Sequence, residues 1–341
     1  MATTIGSVAA LYEDAELRII RLLVDRLLAG SDAPEWAVAK LVELAAFRNH
    51  VEGIVDDATR AALNEIAGVL SRAAETGVVS PAAAEAVAAA VAGRTAPTIL
   101  SRSRELDAIY RELVGNLDTM RGRILSSVES VYRDVIGGQA APSLLTGTDS
   151  RATVIRKALG EFAARGVTGF VDAAGRSWEM ATYVEMAAGT AAHRASVEGF
   201  LGRQTDTGRD LVVVSDHGGE CDECRPWEGK VLSISGTSSH PDVEGTVAQA
   251  RAGGLEHPGC RHRYMAWFPG VSKRPEPQGK PADYEARTRQ RVIERHIRAW
   301  KRRAVVGEPG AVEKVREWQA VQRQHVGKHG LKRQPRREAV R

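Results

Sequence analysis

Hydrophobic positions recur at three- and four-residue spacing along most of the first half of the chain. Leu17, Ile20, Val24, Leu27 and Leu28 form such a stripe, Gly30 follows as a stop, and Ser31-Asp32 offers a cap for a second helix. That helix begins near Pro34-Glu35-Trp36 and places Leu41, Leu44, Ala45 and Val51 on one side. Residues 81–93 are mostly alanine, which favours helix by propensity and allows helices to approach closely. A longer helix is expected over about 99–136, because Leu106, Leu113 and Met120 repeat by seven, as do Tyr110, Leu117, Ile124 and Val131. Such a stripe suits an intramolecular bundle seam, with an oligomer zipper as its other use. Residues 137–150 read as a linker, and helix resumes over 151–165 and 176–204.

The pattern changes near residue 210. Leu211-Val212-Val213-Val214 is a short β-branched run, residues 230–235 alternate, and residues 263–268 are rich in aromatics, so each suits a strand. A Pro/Gly/Lys-rich stretch at 272–281 then precedes two basic helical segments, 284–306 and 311–325. The expected fold class is mainly α with a small α+β Cys/His module. Its parts are a long-helix bundle (1–149), a helical connector (150–205), a compact, few-stranded, zinc-knuckle-like unit (206–272) and a basic helical tail (273–341).

Charge alters this picture more than length does. The 341 residues carry a net charge of +4, which is a cancellation: residues 1–270 hold 27 basic against 35 acidic residues, a net of −8, while 271–341 hold 20 against 8, a net of +12. Arg287, Arg291, Arg295, Arg298, Lys301, Arg302 and Arg303 cluster on one expected helix, and Lys332, Arg333, Arg336 and Arg337 crowd the end. Neutralising phosphates releases counterions without sequence readout, so this tail suits non-specific contact with double-stranded DNA. Few aromatics accompany it (Tyr284, Trp300, Trp318), which argues against a stacking platform for single strands. A solvated helix, or an arm docking on an acidic neighbour, is the other reading of such charge. No apolar run approaches the roughly 20 residues of a membrane span. The start, Met1-Ala2-Thr3-Thr4, lacks the basic-then-apolar order of a secretory signal, so a soluble protein made in a cytosol and without a membrane partner is expected.

All three cysteines lie within 221–260, too few for a disulfide scaffold and close enough to suggest metal. Cys221 and Cys224 form a CxxC that can grip one ion from a tight turn, and Cys260 and His262 form a Cys-x-His whose side chains project to one face of an extended segment. Together they make a tetrahedral Cys3His set for a structural Zn²⁺, closed to water because all four positions come from protein. His217 and His257 are substitute ligands, and metal-free buried thiols are the alternative to any metal. A zinc deaminase would need His-x-Glu upstream and a proline before the CxxC, whereas Glu220 precedes Cys221. A zinc-dependent DNA nuclease or hydrolase of His-Asn-His-like type finds some likeness in His240-Pro241-Asp242 followed by His257 and His262, although no asparagine follows Asn116.

The module's other residues are distinctive. Ser215-Asp216-His217, Arg225-Pro226-Trp227-Glu228-Gly229-Lys230-Val231, Gly259-Cys260-Arg261-His262 and Phe268-Pro269-Gly270 together resemble the C-terminal signature of the phage minor capsid protein family (type 2), relatives of the phage Mu F-type head-morphogenesis proteins. The upstream segment at 178–192, with Tyr183, Glu185, Met186 and Thr190, is similar to that family's Tyr-x-x-Met segment, and the likeness covers 176–270. Gly259 stands where the family usually has Asn, and Gly189 where an Arg would precede Thr190. The zinc set is a reading of this sequence and not part of the resemblance. Arg225 and Arg261 are expected to pair with Asp222, Glu223 or Glu228 around the site.

The resemblance implies a non-enzymatic minor capsid protein of a tailed phage, located in the capsid interior of the virion and in the host cytoplasm during assembly. Its implied partners are the portal protein through the N-terminal helices, major capsid or scaffold proteins, and packaged double-stranded DNA through the basic tail. Assembly of the long helices into a homo-oligomer stays open.

Overall fold

A computed structural model describes residues 2–30, 35–76, 103–140, 150–165, 169–216, 222–276 and 281–339. The expectations at Ser31-Asp32, at 81–93, at most of the 137–150 linker, at His217 and at Cys221 lie outside the described residues. Within them the chain is mainly helical with two small sheets, as the pattern predicts. No helix among the described residues is long and apolar enough to cross a membrane.

The first stripe folds as α1 (Ala2–Leu28), followed by α2 (Trp36–Val42) and α3 (Leu44–Thr76). α1 buries Tyr12, Ile19, Ile20, Leu23 and Leu27, and Trp36 donates its indole N–H to the Leu27 carbonyl at 3.0 Å, satisfying an otherwise open acceptor at the helix end. α3 buries Phe47, Val51, Val55, Ala58 and Ala62 at steps of three and four. α4 (Ser103–Arg133) runs into a π-helical turn (Asp134–Ala140), so helix continues into the start of the expected linker. Its buried seam is Ile109, Leu113, Leu117, Met120, Ile124, Val128 and Tyr132. The heptad predicts Val131, but 3.6 residues per turn drift against a strict repeat of seven, and by that turn Tyr132 faces the core instead. Tyr132 lies 5.0 Å from Phe47 and 5.9 Å from Phe162 of α5 (Arg151–Arg165), joining three helices through one aromatic column.

Helix was expected from 176, but a two-stranded hairpin, β1 (Phe170–Val171) with β2 (Ser177–Trp178), comes first, and α6 spans Met180–Asp206. Asp172 explains the difference: its carboxylate accepts the backbone N–H of Ala174 and Arg176 and the indole N–H of Trp178, so a local turn outcompetes helix there.

β3 (Leu211–Val214), β4 (Val231–Ser233), β5 (Gly245–Thr246) and β6 (Tyr264–Ala266) form a sheet of order β5-β4-β3-β6, with β3 antiparallel to both β4 and β6. Val212, Val213 and Val214 are all buried because β3 is central, which is why its sequence is a continuous β-branched run. Between β5 and β6 the unexpected α7 (Val247–Ala252) starts at a capping box in which Thr246 and Gln249 satisfy each other's backbone N–H. The core here joins Val197 and Leu201 of α6 to Val212, Val214, Leu232, Val247, Ala250, Leu255 and Tyr264.

The C-terminal segments fold as α8 (Pro281–Val305) and α9 (Ala311–His329). The chain divides into two compact units, one of 1–5, 64–115 and 186–287 and one of 6–63, 116–185 and 288–341. The first holds the sheet and is called the Cys/His unit below, and the second is the helical unit. Most of the segment expected as a separate basic tail is therefore part of the helical unit, to which it contributes the buried Ile293, Ile297 and Ala311.

Candidate metal centre and basic surface

Cys224 ends a turn just before the 3-10 turn Arg225–Trp227, and Cys260 and His262 lie on the segment that enters β6. The pairing of β6 with β3, at Val213↔Met265, brings that segment to the turn. The three side chains are 1%, 8% and 3% exposed. Cys224 Sγ and Cys260 Sγ are 3.8 Å apart, and Cys260 Sγ is 3.4 Å from His262 Nδ1. Two thiolates bound at about 2.3 Å and an imidazole at about 2.1 Å to one tetrahedral ion would show S···S near 3.8 Å and S···N near 3.6 Å. The described cluster of Cys224, Cys260 and His262, with donor atoms all within 4.8 Å of one another, can hold a metal ion.

The outer shell is also organised. His262 Nε2 meets Glu228 Oε1 at 2.5 Å, with both side chains nearly sealed. The carboxylate accepts the Nε2 proton and leaves Nδ1, which faces the sulfurs, as the ligating nitrogen. Burial by itself lowers the His262 pKa, but Cys260 and Glu228 more than offset it and the net shift is upward. The Cys260 thiol is held far below its usual range, first by the Cys224 hydrogen bond and then by His193 and His262, against the opposing effect of burial. The pocket therefore favours a thiolate, the form a metal requires.

The loop before Cys260 is tied down from two sides. Gly259 donates its N–H to Thr190 Oγ1 of α6 at 3.3 Å, while Arg251 bridges Glu198 at 2.6 Å and Glu256 at 3.0 Å. Gly259 has φ +84°, a conformation that Gly and Asn enter most readily, so Gly in place of the family's Asn preserves the backbone. Of the expected ion pairs, Arg225 meets Asp222 at 3.0 Å, whereas Glu228 serves His262 instead. His257 lies outside the cluster, with Nδ1 3.0 Å from the Pro258 carbonyl. His240 Nδ1 accepts the Asp242 backbone N–H at 3.2 Å, and Asp242 in turn accepts the Trp267 indole N–H at 2.9 Å, so this pair builds a turn.

Two members of the site escape sequence reasoning. Glu228 is expected there only as a partner for arginine. His193 lies one turn before Val197 on the α6 face that meets the sheet, and its signal is the spacing Thr190, His193, Val197, Leu201. The His193 imidazole stands beside the Cys260 thiol.

The expected DNA-contacting residues divide by environment. Arg302 is only 4% exposed, with Nη2 2.9 Å from Glu179 and Nη1 3.6 Å from Glu16. Arg298 meets Glu179 at 2.8 Å and donates to Thr182 and to the Arg337 carbonyl. These two lie on the side of α8 that also carries Ile293, Ile297 and Lys301, and their charge is neutralised inside the helical unit. Lys301 donates to the Glu338 carbonyl at 2.7 Å, and Arg333 is paired with the Glu338 carboxylate. Arg303 stacks over Trp300 at 4.3 Å and lies 3.6 Å from Glu308. Arg291, Arg295 and Lys332 are exposed, Arg287 and Arg337 are half-buried, and the Arg336 side chain lies outside the described residues.

The sequence matches the family described as Phage minor capsid protein 2 over residues 1–328. The chain belongs to that family. Membership carries a structural role in the phage capsid, hence a place in the virion, and the company of other phage structural proteins. No curated protein and no solved structure matches the chain significantly. As a Phage minor capsid protein 2 member, the chain extends the family likeness well beyond the Cys/His unit, since the match also covers the N-terminal helices.

Proposed function

We propose that this family member is a non-enzymatic head-morphogenesis protein of a tailed phage, held in the capsid interior beside the portal. The match across 328 of the 341 residues carries the reading, because it includes both the helices and the Cys/His unit. The helical N-terminal part contacts the portal and the major capsid or scaffold proteins, first in the host cytoplasm during assembly and then in the finished head. Non-specific contact with packaged double-stranded DNA falls to the basic side chains that remain near solvent among the described residues: Arg287, Arg291, Arg295, Arg303, Lys332 and Arg337, together with Arg336 as expected from sequence.

In the same reading the cluster holds a structural zinc. Cys224, Cys260 and His262 supply three donors of the sulfur and nitrogen type that zinc prefers, at separations that suit one tetrahedral ion. Cys221 is the fourth donor expected from sequence. The zinc would tie the turn before β4 to the segment entering β6, stabilising a sheet of very short strands.

Mass spectrometry of purified DNA-filled virions, with crosslinking to the portal, tests the assignment. Peptides of this protein crosslinked to portal peptides are expected, and their absence from mature heads and assembly intermediates overturns it. DNA cleavage by the purified protein in Mg²⁺, Mn²⁺ or Zn²⁺, lost in His240→Ala with the fold intact, would replace it with the nuclease reading.

A further inference from the structure

α6 faces the candidate centre with a continuous stripe. Val197 and Leu201 enter the same core as Cys224 and Cys260, and Thr190 accepts the N–H of Gly259, the residue before Cys260. His193 falls between them on that face, beside the Cys260 thiol, and its Nε2 is shut off from solvent with no hydrogen-bond partner among the described residues. A buried nitrogen in that condition costs stability unless something engages it.

Charge argues in the same direction. A Zn²⁺ with three thiolates and one imidazole leaves a net charge of −1 in a pocket where the Glu228 carboxylate already adds another. Two thiolates and two neutral imidazoles leave the ion neutralised. Burying less uncompensated charge is the less costly arrangement.

We infer that His193, through Nε2, is the fourth ligand of the centre, giving a Cys2His2 set of Cys224, Cys260, His262 and His193 in place of the Cys3His set expected from sequence. This inference rests on the zinc reading above and deepens it: the ion does not close a knuckle on itself, it fastens the sheet to helix α6. In this structure the three donors of Cys224, Cys260 and His262 are the clustered ones, and His193 stands next to them on the side of Cys260.

Cobalt substitution of the full-length protein tests this, because the intensity of thiolate-to-cobalt charge transfer counts the sulfurs bound. Wild type is expected to bind one Co²⁺ or Zn²⁺ per chain with a two-thiolate spectrum that Cys221→Ser leaves unchanged. His193→Ala is expected to weaken zinc binding by more than about 100-fold, beyond the range typical of outer-shell partners. His193→Cys keeps a donor in place and is expected to raise the thiolate count to three, which covers the case in which the alanine variant fails to fold. A three-thiolate wild-type spectrum reduced by Cys221→Ser and unaffected by either His193 variant overturns the inference while leaving the zinc reading standing. Absence of any metal from the freshly reduced wild type overturns both.

Discussion

His262 is held between Cys260 and Glu228: its Nδ1 faces the thiol sulfur at 3.4 Å, and its Nε2 meets the Glu228 carboxylate at 2.5 Å. The carboxylate sets the tautomer and the ring angle, so its effect is read through metal affinity. Glu228→Gln keeps the size and loses the charge. It is expected to weaken zinc binding by about 10- to 100-fold in a chelator competition, with an unchanged circular dichroism spectrum at saturating zinc.

Removing the ion has a larger consequence. Binding free energy at a structural site is folding free energy for the elements it joins. Chelation, or Cys224→Ser, is expected to abolish slow amide exchange across β3, β4 and β6 while the helices of the helical unit keep theirs. Equal protection in the sheet with and without metal would remove the structural role.

Acid acts on a different group. Burial alone raises the Glu179 carboxyl, but Arg302 first and Arg298 next more than reverse this, holding it at about 2 against an ordinary 4.5. A depressed carboxylate contributes its full stability above the unfolded value, and the contribution fades as pH falls from about 4.5 through 2. It amounts to roughly 2 kcal/mol, somewhat under the full linkage value because Glu179 keeps part of its surface in water. Denaturant titrations of Glu179→Gln are expected to show lower stability at neutral pH and a flatter decline between pH 4.5 and 2 than wild type.

Gly253 is required by a neighbour and not by its own backbone. Its φ of −83° suits any residue, yet a Cβ there would lie 2.8 Å from Trp227. Gly253→Ala is expected to cost about 1–3 kcal/mol by overpacking, measured as a lower denaturation midpoint of the zinc-loaded protein. A neutral result would mean that the Trp227 ring shifts freely.

The arginines of α8 separate two roles. Each phosphate that a variant leaves without its cation should lower the slope of log affinity against log salt by roughly 0.9. Arg291→Ala with Arg295→Ala is therefore expected to reduce that slope by about 2 in DNA binding, with a smaller loss of stability than Arg302→Ala. Arg302→Ala leaves Glu16 and Glu179 without their buried partner and is expected to cost about 3 kcal/mol of stability.

The parts of the fold legible in advance were those that one element decides by itself. The stripe from Leu17 to Leu27, the seam from Leu113 to Ile124 and the β-branched run at 211–214 each appear as the periodicity predicts, since burial of one face or of a whole strand leaves its period in the sequence, whereas Leu28 at the helix end is exposed. The turn at Asp172 and the capping box at Thr246 were missed because side-chain-to-backbone hydrogen bonds outweighed helix or loop propensity over a few residues. At the candidate centre, Cys224, Cys260 and His262 could be grouped from chain spacing, but Glu228 and His193 reach it from a turn and a helix whose approach no local spacing encodes.

The family, the helical class, the existence of a Cys/His cluster and the uneven distribution of charge follow from the sequence by itself, because each depends on residue identity and short-range period. Tertiary structure alone decided where that charge sits. Arg298 and Arg302 read in sequence like Arg291 and Arg295, yet packing against Glu16 and Glu179 turns the first pair into a buried ion network and leaves the second in solvent. The difference is desolvation: an arginine withdrawn from water needs a carboxylate beside it, and only the folded chain determines which arginines are withdrawn.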